Sequence, residues 1–419
     1  MKKIFITITL LCLVIPLFAD EVDFSGDLET TWGVAAPWTN SDTAAGRFTL
    51  GSTSFTGKVD AYYGNSSACA EGTFSYNAVE QAGNLDQGFN ISLNELWVDY
   101  SESFWGLRVG RQKSAWGKAD GVDITNVLCP ADMSSIAAMV SEDSKMAVDA
   151  VRLSGNFSSF TADFWWIPFF TPAVLPTNQA VITKPELAIW NGEYGLKLSG
   201  YFSALDFSLY GFYGWDDIPL FDYTMVNASG EYKRMLMVGA DAALPLGETV
   251  IRLETAFFPE RYLQRVAQNI IQEKITNSMI AMASANQPAA VENTLQRNQL
   301  SGLAGIDWMP SSWTLTAQYY CDYVFGDIES LERKNSYQHG ITICVSKSLL
   351  FERLEVSLSG LAGLNDFDSM IVPKVKYSLS DQFSLACGAY ILNAGPEKDG
   401  KYGSYKDYSS LFVNGKFSF

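Results

Sequence analysis

Apolar and polar residues alternate along most of this chain. Near its start Val22, Phe24, Gly26, Leu28, Thr30 and Trp32 interleave with Asp23, Ser25, Asp27, Glu29 and Thr31. A period of two puts the first set on one face of a strand and the second on the other. The pattern recurs at Trp313, Leu315, Ala317, Tyr319, Cys321 and Tyr323 against Thr314, Thr316, Gln318, Tyr320 and Asp322. It returns at Tyr337, His339, Ile341, Ile343 and Val345, and at Leu354, Val356 and Leu358. The chain ends with Leu411, Val413, Gly415, Phe417 and Phe419 alternating with Phe412, Asn414, Lys416 and Ser418.

Extended over the whole chain, this pattern predicts eighteen strands, near 21–32, 45–63, 70–78, 88–100, 104–114, 147–156, 158–167, 192–202, 204–215, 231–243, 248–258, 299–309, 312–325, 335–347, 352–364, 370–379, 382–393 and 408–419. A count of sixteen also fits, because the 45–78 region is ambiguous. After even-numbered strands the connections are short, as at Ser101-Glu102-Ser103, Ser203, Pro245-Leu246-Gly247 and Ser380-Asp381; the longest stretches, about 115–146, 168–191 and 259–298, follow odd-numbered strands. A soluble antiparallel sheet has no reason to sort its loops by end, whereas a transmembrane barrel keeps short turns in the periplasm and long loops outside. An even strand count lets the first and last strands pair and removes the sheet edges. The expected fold is an all-β, antiparallel transmembrane β-barrel. Strands of ten to twelve residues, tilted, suit a bilayer core. Trp32, Trp105, Trp165, Trp166, Trp215, Trp308 and Trp313 fall at strand ends, where interfacial aromatic girdles belong.

Composition agrees. Hydrophobic residues make up 47% of the 419, aromatics 14% and charged residues only 18%. Mean hydropathy is nevertheless just +0.03. Residues 1–19 read as a cleavable export signal, with Lys2 and Lys3 before an apolar run and Ala19 before Asp20. The mature barrel is then 20–419, and no plug, passenger or periplasmic domain is expected before its first strand.

The net charge of −17 argues against a nucleic-acid partner and allows a lumen or an outer surface that attracts cations. Five scattered cysteines remain after the leader, an odd number without a CxxC pair, so neither a full disulfide framework nor a zinc site is expected. No cofactor is implied. The one histidine, His339, shares the outward parity of Ile341 and Ile343, and paired carboxylates such as Asp216-Asp217 fall in loops. An enzyme is therefore not expected.

One segment carries a motif. Leu107-Arg108-Val109-Gly110-Arg111-Gln112 leads through Trp116-Gly117 to Asn126, Pro130 and Asp132. It resembles a widespread, largely uncharacterised porin-like family of outer membranes, in which a strand ending G-R-Q, a W-G pair and an N-x-x-x-P-x-D stretch introduce a long loop. More distantly it is similar to alginate-export and phosphate-selective porins, although it lacks a lysine-rich ladder. The resemblance implies a barrel for solute passage.

The long loop carries Asp120, Asp123, Asp132, Glu142 and Asp143, and Met133 to Val140 is amphipathic. Folded into the lumen, it forms a constriction with its carboxylates facing Arg108; left outside, the same acids are ordinary solvated charge. By parity Arg108 and Gln112 point inward and Arg111 outward, unless a bulge at Gly110 reverses Arg111. In the 259–298 loop, Arg261 to Ala285 reads as helix. The run Phe164 to Phe170 is an apolar loop base, suited to the outer leaflet or to a hydrophobic ligand.

The reading that follows is a porin-like channel for passive diffusion of small hydrophilic solutes, leaning toward cations. A fatty-acid-type channel or a non-conducting surface adhesin or antigen stands as the alternative. The expected partners are outer-membrane lipid, small solutes, a second and third copy in a homotrimer, and the barrel-assembly machinery, which reads the terminal Phe419.

Overall fold

The structure is a computed structural model that describes residues 19–38, 45–79, 88–134, 138, 144–175, 181–284, 286–398, 400–402 and 408–419. Residues 1–18 of the predicted leader lie outside the described residues, as do Glu142, Asp143 and most of Met133 to Val140.

Eighteen strands form one closed sheet. In chain order they are β1 (Glu21–Ala35), β2 (Phe48–Tyr63), β3 (Ser66–Asn77), β4 (Gly88–Ser101), β5 (Trp105–Gln112), β6 (Val148–Phe157), β7 (Phe160–Ile167), β9 (Glu193–Phe202), β10 (Leu205–Trp215), β13 (Arg234–Leu246), β14 (Thr249–Gln264), β15 (Thr294–Trp308), β16 (Trp313–Val324), β17 (Tyr337–Leu349), β18 (Leu354–Gly363), β19 (Ser369–Ser378), β20 (Phe383–Asn393) and β21 (Ser410–Ser418). The short strands β8 (Val181–Thr183), β11 (Leu220–Tyr223) and β12 (Ala228–Glu231) make a separate small sheet among the loops. Closure comes from β1 pairing β21, from Asp27 opposite Ser418 to Ala35 opposite Ser410. With no edge left, every barrel strand has a hydrogen-bonding neighbour on both sides, as a bilayer requires.

Each expected strand has its counterpart, and the count is eighteen. Eight connections of two to four residues gather at one end of the barrel, and nine longer ones at the other.

The barrel is apolar outside and polar within. Phe24, Trp32, Val98, Leu153 and Val238 are exposed on the outer face, while Asp241, Glu254, Asp307 and Gln318 are buried on the inner one. Lipid, not water, is the solvent that makes this arrangement favourable.

Three expectations change. The 259–298 loop is shorter, because β14 runs on to Gln264 and β15 begins at Thr294, their ladder continuing past a bulge between Phe258 and Arg261. The helix, α1 (Ala267–Ser284), therefore starts later than Arg261: strand pairing overrides local composition in the first residues of a segment that lacks Gly and Pro and is rich in Ile, Gln, Ala and Met. Trp165 belongs to no girdle. Its neighbour Phe164 is exposed on the lipid face, so Trp165, one residue on, points inward and is 1% exposed.

Candidate functional site: the loop inside the barrel

The segment from Lys113 to Ser134 leaves the end of β5 and crosses to the far wall of the barrel. The bonds that hold it there come from β10, β14 and β16. Gly117 donates its N–H to the Tyr210 hydroxyl (3.1 Å), and Asp120 donates its N–H to Gln318 Oε1 (3.2 Å).

Glu254 of β14 is the hub. Its Oε2 accepts the N–H groups of Lys118 (2.6 Å) and Ala119 (2.9 Å), and its Oε1 accepts the N–H (2.8 Å) and hydroxyl (2.7 Å) of Thr125. Glu254 is 4% exposed. A buried carboxylate needs such donors, and loop amides facing the lumen need such an acceptor. Next to it Arg252 bonds the Lys118 carbonyl (2.9 Å) and Asp120 Oδ2 (2.7 Å), and also pairs with Asp307.

An apolar cluster completes the anchor. Trp116, Ile124, Leu128 and Cys129 of the loop pack against Val148, Ala150, Trp165, Tyr210, Phe212, Met237 and Phe258 of the wall. The Trp116 ring lies 5.1 Å from Tyr210 and 6.5 Å from Phe212. Burial pushes the Cys129 thiol up to about 11.

The motif residues now have physical roles. Gly117 adopts φ +86°, and a Cβ there would sit 2.3 Å from Glu254 Oε1. Asn126 Oδ1 accepts the Trp116 N–H (3.1 Å), Pro130 is fully buried, and Asp132 Oδ1 accepts the Ser134 N–H (2.9 Å). Gly110 has φ +130°, and its Cβ position lies 2.2 Å from the Leu96 carbonyl. No register shift accompanies it, and Arg111 keeps outward parity, bonded to Asp149 (3.2 Å) and the Leu93 carbonyl (3.1 Å).

Gln112 points inward, fully buried, donating to the carbonyl of Ala150 (3.0 Å). Arg108 also points inward, but the structure does not bring it to the loop carboxylates. Its Nε bonds Asp99 Oδ2 at 3.1 Å and its guanidinium stacks 3.7 Å over Trp97. The reason is register: Asp99 is its direct cross-strand partner on β4. Asp120 is instead met by Arg252, and Asp123 by Lys145 (2.8 Å), which returns from the loop's far end. Both aspartates remain about half exposed. Nearby, Asp217 has its carboxyl pushed well above the usual range, first by burial and then by the like charges of Glu193 and Asp216.

Sequence reasoning missed Glu254, Arg252 and Tyr210. Their inward parity was readable, but nothing local reveals which loop they meet. His339 is where its parity puts it, on the outer face, sharing a 3.0 Å hydrogen bond with the Tyr319 hydroxyl. Among the described residues no three His, Cys, Asp or Glu side chains gather as metal ligands.

The inner wall of β1–β4 contrasts with the loop-covered side. Asp27, Glu29, Asp60, Glu71, Glu95 and Asp99 point inward there, part-exposed, against one inward lysine, Lys58. Lys58 pairs with Asp60 (2.9 Å). Glu29, Glu71 and Glu95 accept bonds from Asn414, Asn94 and the Lys113 amide, all neutral donors.

No protein-family model and no curated protein matches the chain. Solved structures do. OccAB1 of Acinetobacter baumannii superposes with a TM-score of 0.55 at 9% identity, over 96% of this chain and 97% of that one. OpdK of Pseudomonas aeruginosa, solved with vanillate, gives 0.54 at 8% identity over 96% and 99%. OccK8 (OprE) of the same organism gives 0.51 at 10% identity over 96% and 98%. The chain has the fold of an outer-membrane porin. At this identity the likeness extends to the barrel and says nothing of cargo.

Proposed function

We propose that this porin-fold barrel is an outer-membrane channel for passive diffusion of small hydrophilic solutes, and that it prefers cations. One observation carries the reading. The inserted loop covers the wall from β6 to β16, and the wall it leaves open is lined by Glu29, Glu71 and Glu95, carboxylates without an ion-pair partner among the described residues. Lys374 and Lys376 on β19 and Lys416 on β21 are the bases on one flank, the last held by Asp27 at 3.3 Å, and on the other flank Arg108 of β5 is held by Asp99 at 3.1 Å. Fixed charges lining a narrow aqueous path select by sign. In this reading Asp120 and Asp123 are the loop's contribution to the narrowest point, with Arg252 and Lys145 holding them in place.

Phe419 closes the outward apolar row of β21 with its N–H and carbonyl bonded to Gly26 (both 3.0 Å), and is the handle offered to assembly machinery.

Single-channel recording of refolded protein in a planar bilayer, under a KCl gradient, tests the reading. Steady current steps with a cation-biased reversal potential are expected. Silence from well-folded protein, or an anion-biased potential, overturns it.

A further inference from the structure

At the short-turn end of the lumen, β4 to β9 line a half-open cavity of about 340 Å³. Its charges differ from those of the acid-lined wall. Arg108, Arg152 and Lys197 line it with Asp99 and Asp163, three cations against two carboxylates.

The arginines are half-used. Arg108 spends its Nε on Asp99 and rests on Trp97. Arg152 places Nε and one terminal nitrogen on the same Asp163 oxygen (2.9 and 2.8 Å), with Trp165 5.2 Å away. These contacts fix the guanidinium planes and leave further N–H donors of each free. Lys197 has no carboxylate within ion-pair distance among the described residues; its ammonium lies 5.5 Å from the Tyr210 ring. Hydroxyl and amide groups, including Asn156 and Tyr201, fill the rest of the lining.

We infer that this cavity docks the carboxylate of a small monoanionic solute at the inner mouth of the barrel. A guanidinium fork matches the plane of a carboxylate. The net charge of one cation, three minus two, is neutralised by one negative charge. A dianion meets Asp99 and Asp163 at the sides of the cavity, so the same acids that orient the arginines discriminate against a second charge. The inference rests on the channel reading only for the route by which a solute arrives.

Sodium benzoate, disodium phthalate and benzamide supply one, two and no negative charges on one aromatic frame. Added to refolded full-length protein in a bilayer, benzoate is expected to reduce the potassium current from one side only, and the other two to do so far less at equal concentration. Lys197→Gln leaves both ion pairs intact and so preserves folding, and is expected to weaken the benzoate effect about tenfold, the loss of one charge-assisted contact. Arg152→Gln is expected to weaken it further. Calorimetric titration of benzoate into the detergent-folded protein gives a readout without conduction. Binding that Lys197→Gln weakens, in a protein that conducts nothing, sinks the channel and keeps the pocket. Conduction with no benzoate heat, or block by benzamide as strong as by benzoate, sinks the pocket and keeps the channel.

Discussion

Replacing Glu254 with glutamine isolates the hydrogen bonds that hold the loop while keeping the volume of the side chain. Glu254 accepts four bonds, two at each carboxylate oxygen. The amide of Gln can accept at only one position, so two bonds are lost and two loop donors face an NH2 group. Bonds to a charged acceptor contribute about 1.5–3 kcal/mol each, so the loss is roughly 3–6 kcal/mol. Against this stands the apolar anchor. Trp116, Ile124 and Leu128 are each at most 6% exposed, and burial of three such side chains contributes about 5–9 kcal/mol. The two terms act on different parts of the loop. The apolar anchor holds Trp116 and the stretch from Ile124 to Cys129, Thr125 included, whereas Lys118 and Ala119 are held by the bonds alone.

Glu254→Gln should therefore free the tip and leave the base docked. Hydrogen exchange at the amides of Lys118 and Ala119 should rise by about two orders of magnitude or more, a factor of ten for every 1.4 kcal/mol. Single-channel current should become larger and noisier. Cys129, kept as the only cysteine, should stay unreactive to maleimide at neutral pH, because burial pushes its thiol up to about 11. The double variant Glu254→Gln, Trp116→Ala should remove both anchors and expose Cys129 to labelling. Unchanged exchange at these two amides in Glu254→Gln would refute the hub, and labelling of Cys129 in the single variant would refute the division between tip and base.

Four other outcomes are expected. Gly117→Ala forces a side chain into a left-handed backbone against Glu254 and should open the channel as Glu254→Gln does; wild-type conductance would contradict it. Asp120→Asn with Asp123→Asn should shift the reversal potential toward anions, and an unchanged potential would remove both from the constriction. Asp217 has a carboxyl held above its unfolded value, so the folded protein binds the extra proton. Its contribution is fully present below the unfolded pKa and is lost as pH rises through the folded one. Asp217→Asn should accordingly raise Tm at pH 8 and change it little at pH 4; an equal effect at both would show that charge is not the cause. Leu153→Arg on the lipid face should lower folding stability in bilayers by roughly 2–4 kcal/mol, measured by denaturant titration in vesicles.

The strands were legible because a barrel wall has two solvents, and each residue's choice between them repeats every second position. Loop sorting was legible for the same reason, since only one end of the barrel must be threaded through the membrane. Some misreadings had their correction in the chain already. Trp165 stands between Phe164 and Trp166, and adjacent residues on a strand cannot share a face, so a lipid-facing Phe164 obliges Trp165 to enter the lumen. Counting back through the turn from Arg108 reaches Asp99 across β4, which gives the arginine a partner without any loop. Glu254 was not legible in this way. It is separated from Thr125 by 129 residues, and its parity is that of every lumen carboxylate.

The position of the loop nevertheless leaves a trace. A wall strand of a water-filled barrel is apolar on one face only, as β1 is, with Asp27, Glu29 and Thr31 inside and Leu28 and Trp32 outside. Across the region the loop covers, the rule breaks. β10 sets Tyr210 and Phe212 inside and Leu209 and Tyr213 outside; β13 sets Met235 and Met237 inside and Leu236 and Val238 outside. Inward apolar side chains facing open water would lose the stabilisation that burial gives them, so something must cover them. The wall alone cannot, because its own strands are held apart by the circumference of an eighteen-stranded ring. Cover must come from a loop long enough to reach across and apolar enough to fit, and Trp116 to Cys129 is both. Strands apolar on both faces thus mark where the lumen is filled, and strands apolar on one face mark where water, and whatever it carries, has room to pass.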